Sequence, residues 1–170
     1  MPDVTLIPLR RDDLPTLENL LQLYLYDFSP YLCDDPDEQI GEDGRYNPGF
    51  STARYAGRHG YWGYLARVDG RLAGFSLVSD RVRYQPAGRH VDEFFVLRCY
   101  RRQGVGRAMA FQTFDTYRGY WEITEIAPNL PAIAFWRAVI DSYTGGRFRD
   151  FTEAWGDQVH PIQTFDSSMW

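Results

Sequence analysis

The chain contains no lysine; all 18 of its basic residues are arginine. Ordinary usage would place about ten lysines in this length, and a GC-rich genome that replaces lysine codons is the expected cause. One consequence is chemical. A phosphate loop ending in Gly-Lys-Ser/Thr cannot be built, which argues against a nucleotide-binding protein of that type. Cysteine is scarce too. Cys33 and Cys99 form no C-x-x-C pair, so neither a disulfide framework nor a thiolate metal site is expected. His59, His90 and His160 are scattered, and no metal is predicted. No apolar run approaches the roughly 20 residues that span a bilayer. Near the start the apolar stretch is short (Val4, Leu6 and Ile7), too short for a signal peptide, so a cytoplasmic protein without membrane partners is expected. Repeats and dividing linkers are missing, and 170 residues suit one domain covering 1–170.

What is present is a well-stocked core: 44% hydrophobic residues and 16% aromatics. The net charge of −5 is unevenly spread. Residues 1–50 hold eleven acids and three arginines, whereas residues 51–170 hold twelve acids and fifteen arginines. An acidic chain is a poor partner for nucleic acid, whose affinity rests on positive surface. The basic segment invites a phosphate, and the acidic one faces something else.

Periodicity orders the elements. Val4 to Leu9 reads as a strand. Asp12 or Asp13 is placed to cap a helix in which Leu14, Leu17, Leu21, Tyr24, Leu25 and Phe28 share a face, ending near Ser29-Pro30. Residues 33–50 form a long loop rich in Asp, Glu, Gly and Pro, with a short helix near 51–58. Tyr61–Val68 and Arg71–Ser79 flank Asp69-Gly70, a strong hairpin signal. Then come a strand at Arg89–Leu97, a helix from Gly104 to about Tyr117, and a strand at Tyr120–Ala127. Asn129 caps a helix that ends at Gly145-Gly146, and Gly156-Asp157 joins two closing strands. The order predicts an α+β domain with one mixed, mostly antiparallel sheet flanked by helices.

The most informative segment is Arg101-Arg102-Gln103-Gly104-Val105-Gly106-Arg107, which lies between a strand and a helix. A helix N-terminus leaves backbone N–H groups unpaired and carries about half a positive charge, so it attracts phosphate. Glycine lets the main chain approach a ligand, and the arginines add permanent charge. G-x-G-x-x-G is excluded because residue 109 is Met.

R-x-x-G-x-G after a strand resembles the acyl-CoA pyrophosphate loop of the GNAT superfamily of N-acetyltransferases. The element order agrees with that superfamily over nearly the whole chain. The strings Glu93-Phe94-Phe95-Val96, Trp121-Glu122-Ile123, and Asn129-Leu130-Pro131-Ala132 with Phe135-Trp136 resemble a bacterial subgroup of predicted acetyltransferases whose substrate is unassigned. The resemblance implies acetyl-CoA as acyl donor. Its pyrophosphate would meet Arg101, Arg102, Gln103, Gly104, Val105, Gly106 and Arg107, and its pantetheine arm the strand at Phe95, Val96 and Leu97. The Val96 N–H would polarise the thioester carbonyl. Asn129 would touch the arm as well as cap its helix, and Trp136 would wall the cofactor or pack the core.

Acetyl transfer to an amine also needs a base and an acid. Glu93 is the first candidate base and Asp92 the second, with strand alternation sending them to opposite faces. For the acid the chain departs from the family. Trp136 stands where many members carry tyrosine, and an indole N–H is too weak an acid, which leaves Tyr143 as a fallback. Tyr24, Tyr26, Asp27 and Tyr31, followed by Asp34, Asp35, Asp37 and Glu38, mark an acceptor side suited to a cation. The reading is an acetyl-CoA-dependent N-acetyltransferase acting directly on a small or peptidyl primary amine. A non-catalytic acyl-CoA-binding sensor is the alternative, favoured by the missing tyrosine.

Overall fold

The computed structural model describes residues 3–31 and 39–168. Asp34, Asp35, Asp37 and Glu38 of the expected acceptor side, and Cys33, lie outside these residues. Ten elements follow in order: β1 (Val4–Pro8), α1 (Leu14–Phe28), β2 (Tyr61–Val68), β3 (Arg71–Ser79), β4 (Arg89–Val96), α2 (Val105–Asp115), β5 (Tyr120–Thr124), α3 (Leu130–Thr144), β6 (Arg149–Trp155) and β7 (Gln158–Asp166). The strands form one sheet in the order β1-β2-β3-β4-β5-β7-β6. Every pairing is antiparallel except β4 with β5. This is the α+β architecture that the element order implies.

Local chemistry sets the connections. Asp69 and Gly70 both take positive φ, 48° and 78°, as a two-residue type I′ hairpin requires. The Asn129 side chain accepts the Ala132 N–H at 3.2 Å and starts α3. Asp13 does not cap α1 with its side chain; its carboxylate takes the Arg10 N–H at 3.0 Å instead. The helix expected near 51–58 is a single 3-10 turn at Thr52–Tyr55. β4 stops at Val96 and β5 at Thr124, both short of the spans read from the sequence.

Two layers bury the sheet. On one face Leu17, Leu20 and Leu21 of α1 pack on Leu65, Phe75, Leu77 and Phe95. On the other, Ala110 and Phe114 of α2 and Trp136, Val139 and Ile140 of α3 pack on Val78, Val91, Trp121 and Ile123. Phe114 and Trp121 are fully buried, and truncating either to alanine would cost roughly 3–5 kcal/mol.

The sheet opens at its centre. Only Arg89–Val91 of β4 pairs with β5, against Trp121–Ile123. Just beyond, the β3–β4 register shifts between Leu77 and Val78, leaving Asp92 as an extra residue on β4. Such a bulge bends its strand, so β4 leaves β5 and follows β3. Gly74 makes the close approach possible, because a Cβ there would lie 1.9 Å from the Phe95 carbonyl oxygen. The result is a V-shaped gap between β4 and β5.

Candidate active site

A cleft of about 1630 Å³ runs through this gap. It exceeds the roughly 300–1,000 Å³ of common small-ligand pockets, which leaves room for a long donor and a second substrate. Its walls include Glu93 to Val96 on β4, Thr124 and Glu125 on the β5 side, Asn129 and Trp136 of the α3 segment, and the loop before α2.

The loop end is built for an anion. Gly104 sits at φ 82°, a left-handed conformation that glycine adopts without penalty, and it introduces α2. The first backward bond of the helix is Ala108 N–H to Gly104 O, at 3.0 Å. The N–H groups of Val105, Gly106 and Arg107 therefore have no helical partner. Arg101, Arg102 and Arg107 line the same space. Gly106 lies so close to α3 that an added Cβ would come within 3.1 Å of the Phe135 ring. The Gln103 side chain donates to Cys99 O at 2.7 Å, which ties the loop to itself.

The β4 edge supplies free main-chain groups. Leu97 N–H bonds to Ala73 O at 2.8 Å, so Leu97 faces β3 and is not available along the gap. Antiparallel alternation turns Phe95 the same way and directs the N–H groups of Phe94 and Val96 into the gap. The Val96 carbonyl points there too, and it accepts Arg101 Nε–H at 2.7 Å. Of the three strand residues expected to meet the donor arm, Val96 alone offers its main chain; Phe95 contributes a wall.

Glu93 and Asp92 stand at the apex. The Tyr24 hydroxyl donates to Glu93 Oε2 at 2.6 Å. Burial raises the Glu93 pKa to about 7, against the lowering effect of the Tyr24 bond, with the neighbouring Asp92 charge adding to the rise. The Tyr24 hydroxyl is itself driven well above its usual range, by burial first and then by Glu93. Asp92 Oδ2 accepts the Tyr55 hydroxyl at 2.7 Å, and Oδ1 accepts Ser79 Oγ–H at 2.7 Å. His90 Nδ1 lies 2.8 Å from the same Oδ1. Tyr24 and Tyr55 both pack in the α1 layer, so the two carboxylates engage one face. The opposite-face expectation fails because the bulge at Asp92 breaks the alternation.

Other expected residues divide. Tyr24 and Tyr31 line the cleft; Tyr26 does not, and is 62% exposed. Asp27 lines it but is already paired: Arg98 Nε donates to it at 3.0 Å and Arg101 closes a second salt bridge. Burial alone would raise the Asp27 pKa, and hydrogen bonds from Arg101 and Arg98 outweigh it and hold the carboxyl low. Asp27 thus braces the loop rather than offering a free charge. Trp136 is 6% exposed, with its ring 4.9 Å from that of Phe94, so it is both core and wall. Tyr143 is outside the cleft lining and donates to Asp115 at 2.8 Å. Burial, then Asp115, drives its hydroxyl upward in pKa, which removes it as an acid.

Three residues were not singled out from the sequence. Glu122, 2% exposed, accepts the Arg83 and Tyr84 N–H groups and pins the β3–β4 loop. Glu125 is 6% exposed and neither carboxyl oxygen has a well-formed hydrogen bond among the described residues; burial pushes its pKa up to about 8, against the lowering effect of the nearby Gln163 amide. His90 lines the cleft beside Asp92. A carboxylate within a strand end and a histidine two residues from an aspartate were the signals available.

The model of the acetyltransferase (GNAT) family matches residues 17–139. No curated protein matches the sequence. Among solved structures, the ribosomal-protein-S18-alanine N-acetyltransferase from Escherichia coli aligns at TM-score 0.62 and 19% identity, over 99% of this chain and 96% of that one. An acetyltransferase from Thermus thermophilus aligns at TM-score 0.67 and 14% identity, over 96% of both. The spermidine N-acetyltransferase from Vibrio cholerae, in complex with CoA and spermine, aligns at 0.59 and 12%, over 97% and 96%. At these identities the likeness is one of fold.

Proposed function

The chain belongs to the acetyltransferase (GNAT) family, and on that premise we propose that it transfers an acetyl group from acetyl-CoA to a primary amine by direct attack, with Glu93 as the base. One observation carries the reading most: a carboxyl with its pKa raised to about 7 stands in the cleft beside the main-chain N–H groups that the splayed strand frees. A base poised near working pH is what deprotonation of an ammonium needs.

The residues present fit an acyl donor carrying a pyrophosphate. Val105, Gly106 and Arg107 N–H groups, with Arg101, Arg102 and Arg107 side chains, would hold the phosphates. Acetyl-CoA, when bound, supplies a thioester carbonyl open to nucleophiles. Phe94 and Val96 N–H groups both face the gap. Phe94 adjoins Glu93, whereas Val96 lies about 7 Å further along the strand. Phe94 N–H is therefore the better placed to polarise a carbonyl that an amine deprotonated by Glu93 must reach, and Val96 to hold the donor arm.

The acceptors named for two structural relatives, an alanine of ribosomal protein S18 and spermidine, are both amines, which agrees with this reading. The proposal does not extend to a second positive charge on the acceptor, because Asp27 is taken by Arg98 and Arg101. A CoA-thiol release assay against a panel of small amines and peptide N-termini tests it. Turnover with an amine is the expected result. Tight acetyl-CoA binding without turnover would favour the sensor reading, which the tryptophan at 136 supports.

A further inference from the structure

Trp136 and Tyr143 leave the departing thiolate without a proton donor, and the cleft contains a side chain suited to the task. His90 lies on β4 at the level of Glu122, immediately before the gap opens. Its Nδ1 is 2.8 Å from Asp92 Oδ1. Asp92 is fixed in turn by the Ser79 and Tyr55 hydroxyls at 2.7 Å each, and Tyr55 by Arg54 at 2.9 Å. A carboxylate only accepts hydrogen bonds, so Nδ1 carries the hydrogen and Nε2 of the neutral ring keeps its lone pair. Nε2 reaches across toward β5, 3.4 Å from Thr124 Oγ1. Thr124 is the residue after the last paired position, so the lone pair lies at the mouth of the V, where the Thr124 hydroxyl is its donor in the free protein. An imidazole oriented this way by a carboxylate both takes and gives a proton at one atom.

We propose that His90, oriented by Asp92, moves the second amine proton from nitrogen to sulfur. The inference rests on the acetyl-transfer reading above. An ammonium must lose two protons to become an amide. Glu93 accepts the first and later releases it to solvent. As the C–N bond forms, the nitrogen becomes cationic and still holds two hydrogens. His90 Nε2 accepts one of them, directly or through one water. As the C–S bond breaks, its electron pair leaves on sulfur, and His90 Nε2–H returns that proton to sulfur. The ring ends neutral, CoA leaves as the thiol, and one proton overall reaches solvent. Asp92 is a positioning residue here. Three donors take up most of its roughly four lone-pair sites, so its part is to hold the imidazole.

The first measurement needs no donor or acceptor. ¹⁵N resonances of His90 in the free protein should report hydrogen on Nδ1 and a bare Nε2, and Asp92→Asn should disturb that preference. A ring protonated on Nε2 in the wild type would overturn the proposal. In turnover, His90→Gln should lower kcat by about 10²-fold and leave acetyl-CoA affinity by calorimetry unchanged. His90→Ala should lose as much and be restored by added imidazole, at matched ionic strength. An unchanged kcat in His90→Gln, or an alanine variant that imidazole does not restore, sinks the shuttle while leaving acetyl transfer intact. Failure of the wild-type protein to acetylate any amine would instead strike the reading beneath it.

Discussion

Glu93 and Glu125 occupy matching places on the two strands that part. The last parallel pair is Val91 with Ile123, and each glutamate stands two residues beyond it. Burial raises both pKa values, to about 7 and about 8. Their surroundings separate them. Glu93 accepts a tyrosine hydroxyl and lies among His90 and Asp92, whereas the Glu125 oxygens are enclosed without a well-formed hydrogen bond among the described residues. The comparison teaches that a raised pKa alone does not identify a base. A base also needs a path for the proton and a place for the amine; both glutamates line the cleft, and what sets Glu93 apart is the Tyr24 hydroxyl on its carboxylate and the neighbouring Asp92 and His90.

Breaking the comparison at Glu93 should give the largest effect. Glu93→Gln keeps the shape and removes the proton acceptor, so kcat/KM should fall by about 10²-fold or more. Acetyl-CoA affinity should hardly change. In the wild type kcat/KM should climb as pH rises through about 7, where Glu93 loses its proton, and that limb should vanish in the variant. Glu125→Gln should retain activity and the limb. The opposite pattern, with Glu125 carrying the limb, would exchange the roles of the two residues.

Glu125 should instead show itself in stability. Its folded pKa is raised above the unfolded value of 4.5, so the folded state binds the extra proton between these values. Stability is then lost as pH rises from about 4.5 to about 8. Glu125→Gln removes this dependence. Its stability relative to wild type should grow across that window, by on the order of 5 kcal/mol, and level off above it. Denaturant midpoints at pH 5 and pH 9 measure the difference. A constant offset between the two proteins would show that Glu125 is not desolvated in the fold.

Tyr24 offers a finer adjustment of the Glu93 side. Its hydrogen bond lowers the Glu93 pKa against the rise caused by burial. Tyr24→Phe removes the donor and should shift the limb of the pH–rate profile to higher pH by about one unit, the worth of one hydrogen bond to a charged group. A shift to lower pH would mean that the hydroxyl does not stabilise the carboxylate.

The same comparison shows what the sequence could disclose. The strand, the Arg/Gly loop and helix α2 were legible because glycine and arginine spacing acts within ten residues, and the fold followed from element order. The site's fine structure depends on register. Alternation puts Asp92 and Glu93 on opposite faces, and only the bulge against Leu77 and Val78 brings them together. His90 drew notice solely as a metal ligand without companions. Its use rests on Asp92 being fixed by Ser79 and Tyr55, contacts that form through the tertiary fold. Glu125 looked like one more strand-end charge until its enclosure was known.

Asp27 depends on distant contacts in the same way, and it gives the smallest of the expected effects. Sequence alone leaves its carboxylate open to a cationic acceptor, yet Arg98 and Arg101, far along the chain, take both oxygens. Arg101 also binds the Val96 carbonyl and belongs to the loop before α2. Asp27→Asn should therefore loosen the arginine that links loop and strand, and raise the acetyl-CoA dissociation constant while sparing the acceptor's KM. Arg98 is 70% exposed and Arg101 39%, so solvent screens the pairs. The loss of affinity should therefore stay below roughly tenfold. Because the interaction is ionic, the difference between variant and wild type should shrink as salt is raised. A rise in the acceptor's KM, with donor affinity untouched, would return Asp27 to the acceptor side.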